Sequence, residues 1–171
     1  MISVIIPTLN EAASLPETLR RLQTQSETIE IIVVDAGSED STPTLAREAG
    51  ARVIVSDRRQ RAHQLNLGAA EARGDALWFL HADTWVSSAA SRSIVQSLAN
   101  PSVVGGGFKR RFRSASPFLF FTCMLASLRS RWLGLYFGDQ SIWLRRAEFV
   151  EMGGFADVPV FEDFDFCNRL K

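Results

Sequence analysis

The stretch LWFLHADTWV, residues 77–86, places four apolar residues directly before a histidine and a carboxylate. A short apolar run bounded by turn-forming residues is typical of a buried strand in a parallel sheet. Ligands of open α/β sheets bind just beyond the carboxyl ends of such strands. His81 and Asp83 therefore occupy the position of a ligand or metal site, although an aspartate there could equally cap the following turn.

Three other apolar runs precede this strand, and a segment with helical periodicity follows each of them. The predicted strands cover residues 3–7, 29–35, 51–56 and 76–80, and the predicted helices cover residues 10–23, a segment capped at Ser41 and stopped by Gly50, and residues 59–74. This alternation predicts an α/β fold with a mostly parallel central sheet and helices on both faces. The turns PTLNE, DAGSED and HADT would then meet along one edge of the sheet, where a ligand crevice is expected.

The pattern is less regular after residue 86. A helix over residues 87–100, a glycine-rich strand over 102–112, a strand over 140–146 and a helix starting at 162 are predicted. Residues 116–132 are apolar almost all round, which favours a core helix or a homodimer contact over a helix resting on a membrane surface. Its apolar run is also shorter than the roughly 20 residues that span a bilayer.

Composition excludes several classes of protein. The 171 residues carry 19 basic and 19 acidic side chains, so no basic footprint for nucleic acid is present. The two cysteines have no metal-type spacing, and the first residues lack the features of a signal peptide. We expect a single domain over residues 1–171, in the cytoplasm, without nucleic-acid or membrane partners.

Seven ordered motifs carry a resemblance to a known family. They read VIIPTLNEA, IIVVDAGSEDST, RAHQLNLGAAEARGD, FLHADT, FGDQSIWLRR, MGGF and FEDFDFCNRL. Together they resemble the family 2 glycosyltransferases of the GT-A fold, which bind a nucleotide-diphospho-sugar donor. The wording LHADT together with FGDQ is similar to a bacterial subgroup linked to arsenosugar biosynthesis.

Two departures from the family pattern are visible. His81 stands where the family carries the first acid of its Asp-x-Asp metal motif, whereas Asp83 matches the second. The chain also ends just after the last motif, where relatives usually continue, so the domain is expected to be either truncated or naturally short.

The resemblance implies a donor site at the ends of the first strands. Its predicted residues are Pro7, Thr8, Glu11, Asp35, Arg61, Asn66, His81 and Asp83. Asp83 would be the main protein ligand of Mn²⁺ or Mg²⁺, which neutralises the diphosphate of a UDP- or GDP-sugar. Asp35 could accept hydrogen bonds from a base or ribose, and Arg61 could offer a two-pronged fork to phosphate. Asn66 would instead orient backbone, while His81 binds metal, phosphate or ribose, or is structural.

The acceptor side is expected at the opposite end of the crevice. Its predicted residues are Gly138, Asp139, Gln140 and Glu162, with Asp163 as the catalytic general base. Three phenylalanines around Asp163 would provide an apolar setting that increases its basicity. The alternative is that Glu162 and Asp163 merely favour a helix N-terminus. The implied activity is metal-assisted sugar transfer to an acceptor hydroxyl with inversion; the alternative is a nucleotide-sugar-binding module without transferase activity.

Overall fold

The computed structural model describes residues 1–109, 116, 118–119, 121–125, 128, 136, 140–158 and 161–170. A six-stranded sheet forms its centre. The strands are β1 (Ile2–Thr8), β2 (Ile29–Asp35), β3 (Arg52–Val55), β4 (Ala76–Phe79), β5 (Gly105–Gly106) and β6 (Trp143–Arg145). Their order is β3-β2-β1-β4-β6-β5. The first four strands are parallel, and β6 joins β4 in antiparallel orientation, so the predicted mostly parallel sheet is confirmed.

Helices cover both faces of the sheet, as predicted. They are α1 (Leu15–Gln23), α2 (Thr42–Glu48), α3 (Arg61–Ala70), α4 (Ala90–Leu98), α5 (Arg146–Glu151) and α6 (Glu162–Arg169). Alternate side chains of β1 point to opposite faces, because a strand has a period of two. Val4 and Ile6 pack in one core cluster with residues of α1, α2 and α4, whereas Ile5 packs in the other with residues of α3, α5 and α6.

The strand order places a switch point beside β1. The chain runs from β1 outward to β2 and β3, and then returns to place β4 on the other side of β1. Loops at the carboxyl ends of β1 and β4 therefore diverge, which opens the crevice that parallel α/β sheets use for ligands. The turns after β1, β2 and β4 lie at this same edge.

Two predicted boundaries near β1 were wrong. The strand continues through Pro7 to Thr8; beyond Ile5 it is paired with β2 alone, so a residue without an N–H group is tolerated. The first helix begins at Leu15 rather than at residue 10. Asn10 has a φ of 56° and caps no helix, because its side chain accepts a hydrogen bond from the Glu39 N–H group at 2.8 Å.

Later elements are shorter than predicted. The strand expected over residues 102–112 is limited, in the described part, to Gly105 and Gly106, because its partner β6 has only three residues. Of the helix expected over 116–132, residues 118–119, 121–125 and 128 are described and helical. Five of its apolar side chains are exposed, so the core-helix interpretation was wrong for them: Phe118, Phe121, Met124, Leu125 and Leu128. None of the helices in the described ranges combines the length and apolar character needed to cross a membrane.

Candidate active site

Thr8 and Asp35 meet at the carboxyl ends of β1 and β2. The Thr8 hydroxyl donates to Asp35 Oδ1 at 3.0 Å, and both residues are buried. The same carboxylate accepts hydrogen bonds from the Ser38 hydroxyl at 2.5 Å and from the backbone N–H groups of Gly37 and Ser38 at 3.1 and 2.9 Å. A carboxylate has about four acceptor positions. Asp35 accepts these four hydrogen bonds, three from its own turn and one from Thr8, and thereby shapes the turn. Its predicted contact with a base or ribose stays a prediction.

The loops after β1 and β2 are joined by backbone-to-side-chain hydrogen bonds. The N–H group of Asn10 donates to Ser38 Oγ at 2.8 Å, that of Glu11 to Thr42 Oγ1 at 2.8 Å, and that of Ala12 to Asp40 Oδ2 at 3.1 Å. The pKa of Asp40 is lowered, first by the hydrogen bond from the Thr42 hydroxyl. We call residues 8–12 and 35–42 the donor rim; these bonds join its two loops.

Sequence reasoning missed three contributors to this rim and its support. Ser38 and Asp40 connect the two loops, and Gln64 of α3 is buried beneath them. The Gln64 side chain donates to the carbonyls of Thr8 at 3.0 Å and Val34 at 2.7 Å. The clustered Ser, Asp and Thr of SEDST are typical of such turns, whereas nothing local marks Gln64.

The turn after β4 carries His81 and Asp83, the two positions that correspond to the acids of the Asp-x-Asp motif. The Thr84 N–H group donates to the His81 carbonyl at 3.1 Å, and the Thr18 hydroxyl of α1 donates to the Ala82 carbonyl at 2.7 Å. Asp83 is exposed at the tip of this turn, while His81 is half-buried. Asp83 thus lies in the turn after β4, and its role as a metal ligand stays a prediction. The anchoring of this turn by Thr18 was not foreseen.

Glu11 and Asp83 form an acidic pair across the switch point. Burial raises the pKa of Glu11, and the negative charge of Asp83 raises it further, while a hydrogen bond with Ser14 opposes the shift. Within the described ranges, no three His, Cys, Asp or Glu side chains converge on a common point. One or two carboxylates nevertheless suffice for Mg²⁺ when substrate phosphates supply further oxygen ligands. These two acids therefore fit a divalent cation that arrives with a diphosphate.

Helix α3 and its N-cap also hold the residues that follow α5. Asn66 donates to the Phe155 carbonyl at 2.8 Å and accepts from the Phe155 N–H group at 2.9 Å, so it orients backbone as the sequence suggested. The Gln60 side chain donates to the Val158 carbonyl at 3.2 Å. Gly154, with a φ of 73°, allows the close approach, because a Cβ there would lie 2.6 Å from Asn66 Oδ1.

The candidate base lies at the end of this tethered stretch. We call residues 153–158 and 161–163 the acceptor segment. Glu162 and Asp163 open α6, and Arg61 Nη1 lies 3.4 Å from Glu162 Oε1. Asp163 is half-exposed, and its Oδ1 accepts the Phe164 N–H group at 2.7 Å.

The predicted apolar setting of Asp163 was wrong. Phe161 and Phe164 are 68% and 42% exposed, and only Phe166 is buried in the core. Phe164 directly follows Asp163 on the helix and points in a different direction, and Phe161 precedes the helix. Only Phe166, three residues further on, lies on a neighbouring part of the same helix face.

Gln140 is buried, and its contacts tie it to the strand edge. Its carbonyl accepts the Phe108 N–H group at 2.6 Å, and its side chain donates to the Phe108 carbonyl at 3.4 Å. Gly138 and Asp139, the other predicted acceptor-side residues of this motif, lie outside the described residues. Gln140 therefore joins the residues before β6 to the residues after β5.

Comparison with known proteins agrees with this architecture. The family description "Glycosyl transferase family 2" matches residues 3–156. The mannosyltransferase PcManGT from Pyrobaculum calidifontis, solved in complex with GDP-Man and Mn²⁺, superposes with a TM-score of 0.76 at 26% identity over 95% of this chain and 49% of that chain. S. aureus TarS superposes with a TM-score of 0.81 at 18% identity, over 99% of this chain and 54% of that chain.

A curated relative gives the same class. The 4,4'-diaponeurosporenoate glycosyltransferase of Staphylococcus haemolyticus is 39% identical over 106 residues, which are 57% of this chain and 28% of that protein. The sheet order, the acidic switch point and these likenesses define a GT-A glycosyltransferase fold. The chain belongs to glycosyl transferase family 2. Its match spans little more than a quarter of the length of that relative.

Proposed function

We propose that the chain transfers a sugar from a nucleotide-diphospho-sugar, with UDP or GDP as the nucleotide, to an acceptor hydroxyl. The observation that carries the proposal is the gathering of Asp83, Glu11 and the donor rim at the switch point of a family 2 fold. A relative of 26% identity is described with GDP-Man and Mn²⁺. The narrower resemblance to the arsenosugar-associated subgroup stays a prediction.

The donor-side residues would bind and neutralise the diphosphate. We propose Pro7, Thr8, Glu11, Asp35, Asn66 and His81 as donor-site residues that line or shape the pocket, and Arg61 as a hydrogen-bonding fork for phosphate. Asp83 would hold Mn²⁺ or Mg²⁺, with Glu11 beside it. When bound, the cation stabilises the negative charge that develops on the leaving diphosphate.

On the acceptor side, Asp163 is proposed as the general base. A carboxylate that removes the hydroxyl proton as the oxygen attacks the anomeric carbon makes the acceptor a stronger nucleophile. Attack opposite the diphosphate in a single displacement inverts the anomeric centre. Gly138, Asp139, Gln140 and Glu162 are proposed to shape this side. The half-exposed position of Asp163 at the start of α6 supports access of an acceptor.

The alternative function is nucleotide-sugar binding without transfer, and one observation favours it. His81 replaces the first acid of the metal motif, which leaves Asp83 as that motif's only carboxylate. Release of nucleoside diphosphate from UDP- and GDP-sugars, measured with Mn²⁺ and with a chelator, distinguishes the two. Metal-dependent release, increased by an acceptor, supports a transferase; tight binding without release supports the binding module.

The proposal also covers domain organisation, location and partners. Residues 1–171 would form a single domain located in the cytoplasm, a reducing compartment in which Cys123 and Cys167 would remain thiols. The exposed apolar side chains among residues 118–119, 121–125 and 128 would contact a second copy of the chain rather than a membrane, and nucleic acid would not bind. Light scattering on the wild type and on Phe121→Glu tests the dimer, and vesicle co-sedimentation tests the membrane alternative.

A further inference from the structure

Glu162 is a buried carboxylate at the start of the helix that carries the candidate base. Its side chain is 7% exposed, whereas that of its ion-pair partner Arg61 is 53% exposed. Burying a carboxylate is costly unless a hydrogen-bonding or charged partner compensates it. Arg61 supplies that compensation from a different element, 101 residues earlier in the chain.

Helix α3, which begins at Arg61, fixes the position of this residue relative to the donor rim. Gln64, one turn after Arg61 in α3, donates to the carbonyls of Thr8 and Val34. Residues three apart share a helix face, so Arg61 lies on the side of α3 that faces the strand ends. A guanidinium has five N–H donors, and the pair with Glu162 occupies only part of them.

We propose that Glu162 is a positioning residue: it holds the Arg61 guanidinium in the orientation that receives the donor diphosphate. The inference rests on the proposed function, since it assigns Arg61 a phosphate partner. Glu162 adjoins Asp163, so the ion pair links the donor site to the turn that carries the base. A side chain immobilised before the ligand arrives does not lose that freedom on binding, which increases affinity.

Simple electrostatics predicts the opposite change in nucleotide affinity when Glu162 is neutralised, so the direction of the change is the test. Removing a negative charge near an anion site should strengthen the binding of a nucleoside diphosphate. If Glu162 acts through the position of Arg61, the neutral variant Glu162→Gln should instead bind more weakly. The direction of the change in affinity therefore separates the two effects.

The experiment is calorimetric titration of the full chain with UDP and with GDP, each in the presence of Mn²⁺. We expect Glu162→Gln to weaken binding of the better nucleotide by about three- to tenfold. The matched control is Glu151→Gln, which removes the same charge from an exposed position of α5 and should leave affinity unchanged. Urea unfolding of both variants verifies that they are folded at the titration temperature.

A double-mutant cycle tests whether Glu162 acts through Arg61. Arg61→Gln should weaken binding by itself, and adding Glu162→Gln to it should cause no further loss, because the group being positioned is already gone. Losses that multiply, or unchanged or tighter binding in Glu162→Gln, would overturn the inference while leaving the proposed function intact. A wild-type chain that binds neither nucleotide overturns the proposed function, and the inference with it.

Discussion

The donor rim and the acceptor segment are held in different ways. In the donor rim, two loops that follow paired neighbouring strands exchange short hydrogen bonds, and Asp35 organises its own turn. The acceptor segment instead depends on side chains of α3 and its N-cap that reach residues 89 to 101 positions away in sequence. The donor rim should therefore tolerate single substitutions better, whereas the acceptor segment should respond to changes in one helix.

The largest expected effect is a loss of turnover without a loss of nucleotide affinity, caused by a substitution in the acceptor segment. Asp163→Asn keeps the shape of the side chain but removes its basicity, so turnover should fall by at least about 10² to 10⁴-fold. The dissociation constants of UDP and GDP should stay nearly unchanged. Turnover with a competent acceptor and calorimetric titration provide the two measurements.

The control for this variant is Asp165→Asn, whose carboxylate pairs with Arg169 Nε at 2.8 Å on the same helix. Its loss of turnover should be much smaller. Full activity in Asp163→Asn, or a loss confined to donor affinity, would contradict the assignment and move the base to Glu162, Asp139 or the acceptor itself.

The second prediction concerns the donor side alone. Asp83→Ala should abolish the increase in nucleotide affinity that Mn²⁺ gives, a loss of at least about tenfold, since the principal protein ligand is removed. Titration with Mn²⁺ and with a chelator measures it. His81→Asp should strengthen metal-dependent binding, because it restores a second hard oxygen ligand. If Asp83→Ala retained the metal effect, another group would hold the ion.

The third prediction compares one glycine in each region. Gly37→Ala places a side chain at a φ of 80° with no atom within 4 Å, so the left-handed conformation alone should cost about 1 kcal/mol. Gly154→Ala adds a clash with Asn66 Oδ1 and disturbs its bonds to Phe155, so the loss should be about 3 kcal/mol. Urea unfolding measures both free energies. Equal losses would mean that Asn66 does not hold the acceptor segment.

The smallest effect is a pH dependence. Because the pKa of Glu11 is raised above its ordinary value of 4.5, the folded protein binds more protons than the unfolded chain just above that pH. Stability contributed by this site is therefore lost as pH rises through that window. Glu11→Gln should gain stability relative to the wild type over the same range, by a fraction of a kcal/mol, in urea unfolding series at several pH values.

Glu17 of α1 has a pKa that is shifted in the direction opposite to that of Glu11. The hydrogen bond from Arg20, opposed by desolvation and helped by Arg21, lowers the pKa of Glu17 to about 2. Its contribution is present above the unfolded value of 4.5 and is lost as pH falls toward 2, so Glu17→Gln should lose stability relative to the wild type as pH rises. Identical pH profiles for Glu11→Gln and Glu17→Gln would contradict the raised pKa of Glu11, which burial causes first and the charge of Asp83 second.

The sequence alone was sufficient for the parallel part of the sheet and for the edge at which the candidate site lies. The run Ala76–Phe79 is apolar along its length because both faces of a central strand are buried, and that requirement is visible locally. The acids that follow such runs then lie at the edge of the sheet where the carboxyl ends of the parallel strands meet. Helix and strand ends were less predictable, since Asn10 could cap a helix or bond to another loop, and its neighbours in space decide.

The tertiary structure alone decided which side chains support the site. Gln64 beneath the donor rim, Thr18 under the turn of Asp83 and the pairing of Glu162 with Arg61 join residues between 30 and 101 positions apart. Periodicity reports only the environment that each segment needs, not which polar group completes it. A buried carbonyl or carboxylate needs some partner, and only the packing of α3 and α1 against the sheet determines which residue supplies it.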